Sequence, residues 1–208
     1  MEKLLFSAGA AAILSTIAAE NSKPDVWKQK SPVKMVSKAA LVATRKNKET
    51  VDMSDISAAM DRIDLGLESH IIMSKKEREM TAFHEAGHAV TLYYLHPTDD
   101  VFKATIKSRG DALGLVAHNP KEEWHTQNKE KLIADIMVAL AGYCSEKIKY
   151  GTTSTGVSSD FTKAMSIANA MVWRFGMGGT GFVGDFTAIP KENLSTTLKE
   201  KLNEQTMA

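Results

Sequence analysis

Apolar residues recur at helical spacing through most of the chain. From Val33, the positions Val36, Ala40 and Ala43 share one face of a predicted helix that ends in the basic run Arg45-Lys46-Asn47-Lys48. Ser54 is placed to cap a second helix, whose stripe is Ile56, Met60, Ile63 and Leu67, with Gly66 softening its end. Ahead of both lies Leu4 to Ala19, uncharged but shorter than the roughly 20 residues of a spanning helix. It reads as a packed helix, with a signal or anchor segment as the alternative. Asn21 to Pro32 is polar, carries two prolines and reads as a connection. Residues 1–72 are thus expected to form a small all-helical region.

The next helix is announced by its own cap. Ser74 and Glu77 form a capping box, and the helix should run from Lys75 to about Leu95, ahead of Pro97. Two short strands are expected, Val101 to Lys107 and Leu113 to His118, around the turn Ser108-Arg109-Gly110-Asp111. The Arg-Gly-Asp tripeptide resembles a cell-attachment motif but reads as turn chemistry. A long helix over Lys129 to Tyr150 should bury Ile133, Met137, Leu140, Cys144 and Ile148 and stop at Gly151. After a Gly-, Ser- and Thr-rich loop, a helix from Asp160 to about Phe175 should turn Phe161, Ala164, Ala168 and Val172 inward. A polar helix over about Lys191 to Asn203 closes the chain. The expected class is mainly α (α+β): a helical domain over residues 73–208 with a small β-sheet. The absence of βα alternation excludes a Rossmann fold or a barrel.

Composition narrows the chemistry. Of 208 residues, 26 are basic and 25 acidic, a net charge of +1, so no electrostatic footprint for nucleic acid exists. The single cysteine, Cys144, excludes an intrachain disulfide framework and all-cysteine metal sites. It reads as a small buried hydrophobe. No GxxxxGK loop occurs, so the chain has no ATP site of that kind. Any metal must be held by His, Asp and Glu.

Within the capped helix lies His84-Glu85-Ala86-Gly87-His88, an HExxH sequence. Residues four apart on a helix are rotated by about 40°, so both imidazoles project from one face toward one Zn²⁺. Glu85, about 100° round from His84, is positioned to act as general base on a metal-activated water without becoming a ligand. A third ligand must come from elsewhere, and a carboxylate is the available type, with Glu146 and Asp160 as candidates. An acid in the first turn of a helix also favours its dipole, so Asp160 alone carries two readings. Of the other histidines, His118 and His125 are weaker candidates for stabilising an oxyanion. His70 and His96 flank helix ends, where a surface position is expected.

The segment Thr81 to Val90 resembles the catalytic helix of the FtsH family of zinc proteases. The resemblance continues through Ala104 to Gly110, Ala112-Leu113-Gly114, Leu140-Ala141-Gly142, Glu146, Tyr150-Gly151, Thr155-Gly156, Ser159-Asp160 and Trp173 to Gly178. It implies one Zn²⁺ per chain held by His84, His88 and Asp160, with Asp160 at the family's zinc aspartate. It also implies Glu85 as the catalytic residue and Glu146 near the site, orienting a histidine. The edge around Gly114, Leu115 and Val116 is expected to align substrate by backbone pairing. Residues 33–68, with Ala39-Ala40-Leu41, Arg45-Lys46 and Asp61-Arg62, resemble the end of the lid subdomain of that family's AAA ATPase. The ATPase core is missing, the family's C-terminal helical region is shortened at Ala208, and its Gly-Gly-Arg reads Ala141-Gly142-Tyr143. By resemblance the substrates are unfolded or membrane-associated polypeptides and the assembly a hexamer. The location is then the cytoplasmic face of a membrane or its organellar equivalent, with a soluble cytoplasmic chain as the alternative. The rival function is a non-catalytic, metalloprotease-like assembly or adaptor subunit.

Overall fold

The computed structural model describes residues 32–69, 71–110, 112–122, 125–179 and 181–208. The readings made for Leu4–Ala19, Asn21–Ser31 and His70 lie outside the described residues. The chain divides into two compact units, meeting between Glu68 and Ser69.

The described part of the first unit is a helix pair, α1 (Pro32–Arg45) and α2 (Met53–Asp64). Its core is Met35, Ala39, Ile56 and Ala59, with Val51, Met60 and Ile63 packed against it. Of the face expected for α1, only Ala43 is fully buried. Met35, Ala39 and Val42 are inside and Val33 is exposed, because the register one position along places the small Ala39 against α2. The cap also differs. Asp52 rather than Ser54 is the N-cap: its side chain accepts from the Ser54 and Asp55 amides, and Asp55 answers to the Asp52 amide. Leu67 lies beyond the end of α2 and is exposed. The basic run closing α1 meets the acidic start of α2, where Lys46 and Lys48 donate to the fully buried Asp55 at 2.7 and 3.1 Å.

In the second unit, the Ser74–Glu77 capping box opens α3 (Lys75–Leu95), which packs along α4 (Lys129–Tyr150). The long helices touch through glycine. A Cβ on Gly87 of α3 would sit 2.5 Å from the Ala141 carbonyl oxygen, closer than real atoms approach. The face α4 buries is Leu132, Ala134, Ala139, Ala141, Gly142 and Glu146. The expected stripe is turned away: Ile148 is 87% exposed, Ile133 and Met137 face outward, and Cys144 is exposed. Small residues and one carboxylate let the helices close in, and the large apolar residues are displaced to the outside.

Strands β1 (Asp99–Thr105) and β2 (Leu115–Pro120) pair antiparallel, β1 lying two residues earlier and β2 two residues later than expected at both ends. Gly114 thus lies just before β2. The register slips at Phe102, opposite Ala117 and His118, a bulge that re-aims the strand. Arg109 and Ala112 exchange backbone hydrogen bonds across the turn, and Arg109 is buried. Helix α5 (Ser158–Trp173) starts two residues earlier than expected. It buries Ala164 and Val172, but Phe161 is exposed and rests on Tyr143. The closing helix, α6 (Thr196–Met207), begins later than expected: Leu194 turns into the core with Val172, Trp173 and Leu202, and Ser195 caps the helix behind it. No helix among the described residues is long and apolar enough to cross a membrane.

Candidate metal centre

The glycine contact that closes α3 on α4 also shapes a site. A Cβ on Gly142 would lie 2.4 Å from the His84 ring and 2.7 Å from His88 Nε2, so a larger residue there would displace the imidazoles. His84 and His88 lie one turn apart on α3, and Asp160 reaches them from the first turn of α5. The His84 Nε2 to Asp160 Oδ2 distance is 3.0 Å, His88 Nε2 to the same oxygen 3.4 Å, and Nε2 to Nε2 3.0 Å.

The outer nitrogens fix what those inner atoms are. His84 Nδ1 lies 2.8 Å from a carboxylate oxygen of Glu146, so it carries the proton and donates. His88 Nδ1 donates to the Val138 carbonyl at 2.6 Å. With both rings neutral, each turns an Nε2 lone pair inward, onto a third acceptor, the Asp160 carboxylate. Three acceptors about 3 Å apart could hold a cation between them. A tetrahedral zinc with bonds of about 2.1 Å has ligand–ligand edges of roughly 3.4 Å, close to the spacing seen here. The three residues form the one metal-competent cluster found among the described residues.

A proton competes with a cation for the same point. Burial would raise the Asp160 carboxyl, but hydrogen bonds from His84 and His88 hold it well below the usual carboxylate range. Burial would lower His84, yet Asp160 and Glu146 together raise it. Glu146 is 1% exposed and saturated. Besides His84 it accepts from the Ser154 amide at 2.6 Å, the Thr153 hydroxyl at 3.0 Å and the Ser154 hydroxyl at 3.1 Å. Burial pushes its carboxyl up, and these donors, led by the Ser154 amide, bring it below its ordinary value. The Gly- and Ser-rich loop after α4 is thereby tied to the histidine.

Glu85 stands beside the cluster without joining it. Burial pushes its carboxyl above the ordinary value, partly offset by His88 and His84. Its carboxylate packs on Gly114, where a Cβ would come within 2.6 Å of Oε1. A cleft of about 550 Å³ runs over Glu85 and the cluster, walled on one side by Gly114, Leu115 and Val116. The structure thus brings Glu85, His84, His88, Asp160, Glu146 and the Gly114–Val116 edge to one place. His125 is exposed and does not line the cleft.

A group that the sequence left on the surface is buried. His96, at the end of α3, accepts from the Asp99 amide through Nδ1 at 2.9 Å and donates through Nε2 to Asp135 at 3.2 Å. Lys131 donates to the other Asp135 oxygen at 2.9 Å, and the Asp99 carboxylate lies 2.6 Å from His118 Nδ1. His96–Asp99 and Lys131–Asp135 are spaced three and four apart, but no sequence signal joins the two pairs or brings His118 to them.

Comparison with known proteins bears on this geometry. The family model described as peptidase family M41 matches residues 71–208. Similar curated proteins include an "ATP-dependent zinc metalloprotease FtsH" of Neorickettsia risticii (strain Illinois), 40% identical over 146 residues, 69% of this chain and 23% of that protein. The protein of the same name in Rubrobacter xylanophilus is 39% identical over 144 residues, 69% of this chain and 22% of that one. In Borreliella burgdorferi (strain ZS7) it is 37% identical over 165 residues, 76% of this chain and 26% of that one. The chain spans about a quarter of the length of these relatives.

Proposed function

Starting from a chain that belongs to peptidase family M41, we propose that it is a zinc-dependent endopeptidase acting on unfolded or membrane-associated polypeptide, with Glu85 as general base. The observation that carries the reading is the convergence of two imidazole lone pairs and a carboxylate on one point beside a fourth, half-buried acid. His84, His88 and Asp160 would hold the ion, and Glu146 would orient His84. Once bound, Zn²⁺ supplies Lewis acidity, lowering the pKa of a water toward about 7 and polarising the peptide carbonyl.

The chain's own residues do the rest. Glu85 Oε takes the proton of the attacking water as its oxygen bonds to the carbonyl carbon. It returns that proton to the amide nitrogen as the carbon–nitrogen bond breaks. Because Gly114 has no side chain, the substrate backbone can approach Glu85, and the free edge of β2 pairs with it in extended form. Swapping Val116 for proline should then raise KM. Assembly as a hexamer on a membrane face belongs to the same proposal, by resemblance to the FtsH family. So does dependence on an ATPase to deliver unfolded chain, which this sequence does not supply through a GxxxxGK loop.

The test sets wild type beside Glu85→Gln and Asp160→Asn, measuring bound zinc and hydrolysis of casein. Glu85→Gln should keep its zinc and lose about 10²–10⁴-fold in rate. Asp160→Asn should lose zinc with little change in the thermal stability of the metal-free protein. Zinc without hydrolysis in the wild type would favour the non-catalytic subunit.

A further inference from the structure

We propose that His118 is a specificity residue of the cleft, reading substrate side chains that carry a hydrogen-bond donor. It deepens the peptidase reading and rests on it. Val116 and His118 lie two residues apart on β2 and both line the cleft, as does Leu115 at the start of the strand. From Gly114, which abuts Glu85, to His118 is four residues, about 13 Å along the strand. That is too far for a part in the bond cleavage itself and right for a side chain several positions away in an extended substrate.

The imidazole is not free to choose its protonation site. Asp99 Oδ2 lies 2.6 Å from His118 Nδ1, and the Asp99 carboxyl is buried and held below its ordinary value. Burial would raise Asp99, but Thr98, Lys131, His96 and His118 together overcome it. An ionised carboxylate only accepts, so Nδ1 carries the proton and neutral His118 keeps Nε2 as a lone pair. No partner for that nitrogen exists among the described residues. Asp99 is held in turn by the Thr98 hydroxyl at 2.8 Å, and its amide by His96. The same cleft is lined by the apolar Leu92 and Val138. An oriented acceptor in such a cleft distinguishes Tyr from Phe and Thr from Val, pairs that differ mainly by the donor.

The test separates this from hydrolysis by using binding. Twelve-residue peptides, each carrying Phe, Tyr, Val, Thr or Glu at one position in turn, are titrated against the zinc-loaded Glu85→Gln chain by fluorescence anisotropy. At one position three to five residues from the bond that wild type cuts, Tyr and Thr should bind about fivefold tighter than Phe and Val. His118→Phe, in the same background and with unchanged circular dichroism, should bring that ratio to one and leave other positions alone. If His118→Phe does not fold, His118→Asn serves, since it presents no acceptor where Nε2 stood. A ratio below threefold at every position, a ratio that survives the substitution, or a preference for Glu there overturns the proposal. Wild-type cleavage with flat ratios would sink the role of His118 alone. Donor preference without any cleavage would sink only the hydrolytic reading.

Discussion

Each of the two units buries a carboxylate that is held below its ordinary pKa, and the two are built in different ways. Asp55 in the helix pair is served by Lys46, Lys48 and the Asp52 amide, all within nine residues of it in the chain. Glu146 in the peptidase unit is served by Ser154 and Thr153 from the following loop, and by His84, 62 residues away. The first arrangement staples a helix–helix turn to itself. The second joins three segments at a point where chemistry can occur. A buried acid answered by its own neighbours marks architecture; one answered by a distant histidine marks a site.

That contrast can be broken most severely through Gly142. Gly142→Ala should cut zinc affinity about 100-fold or more, since the new methyl must displace the ligand imidazoles, while the helix pair keeps its circular dichroism. Metal content by atomic spectroscopy checks it, and normal zinc would show that α3 and α4 can shift apart without loss. A milder break is Glu146→Gln, which turns one of the two acceptor oxygens into an NH2 donor, so that either His84 Nδ1 or the Ser154 amide loses its acceptor. Its zinc affinity should fall about 10–100-fold with the three ligands intact, measured by competition with a chelating dye.

The smallest effect belongs to Asp55. Its folded pKa is depressed below the ordinary 3.8, chiefly by Lys46, so its stabilisation is full above that value and is lost as pH falls through the native one. Asp55→Asn should flatten the acid limb of helix-pair unfolding, followed by circular dichroism, and leave zinc content untouched. A change in zinc content would mean that the two acids are not separate devices.

The same division explains what could be read in the sequence. Local signals carried the Ser74–Glu77 box, the Gly151 stop and the bounds of α3 and α4, because caps act within four residues. HExxH spacing put His84 and His88 on one face for the same reason. Asp160 and Glu146 were equal candidates from residue type alone; the choice needed the resemblance, since their approach to His84 depends on how α4 and α5 fold back. Apolar periodicity misjudged α4. Ile133 and Ile148 were assigned inward, where the helix instead presents Ala, Gly and an acid to its partner. His96 reads as a surface residue because Asp135, which receives its Nε2 proton, lies 39 residues away on another helix.

The Ser154 amide, donating to a carboxylate that also holds His84, gives the loop after α4 a second meaning. Segments of a protein open and close in cooperative groups, and membership is decided by shared buried contacts rather than by adjacency. Through Glu146 the loop and the imidazole share one such contact. Loosening residues 153–154 and unfixing the His84 ring are then a single event with one free energy. The peptidase unit has no low-cost state with its loop undone and its histidine still aimed.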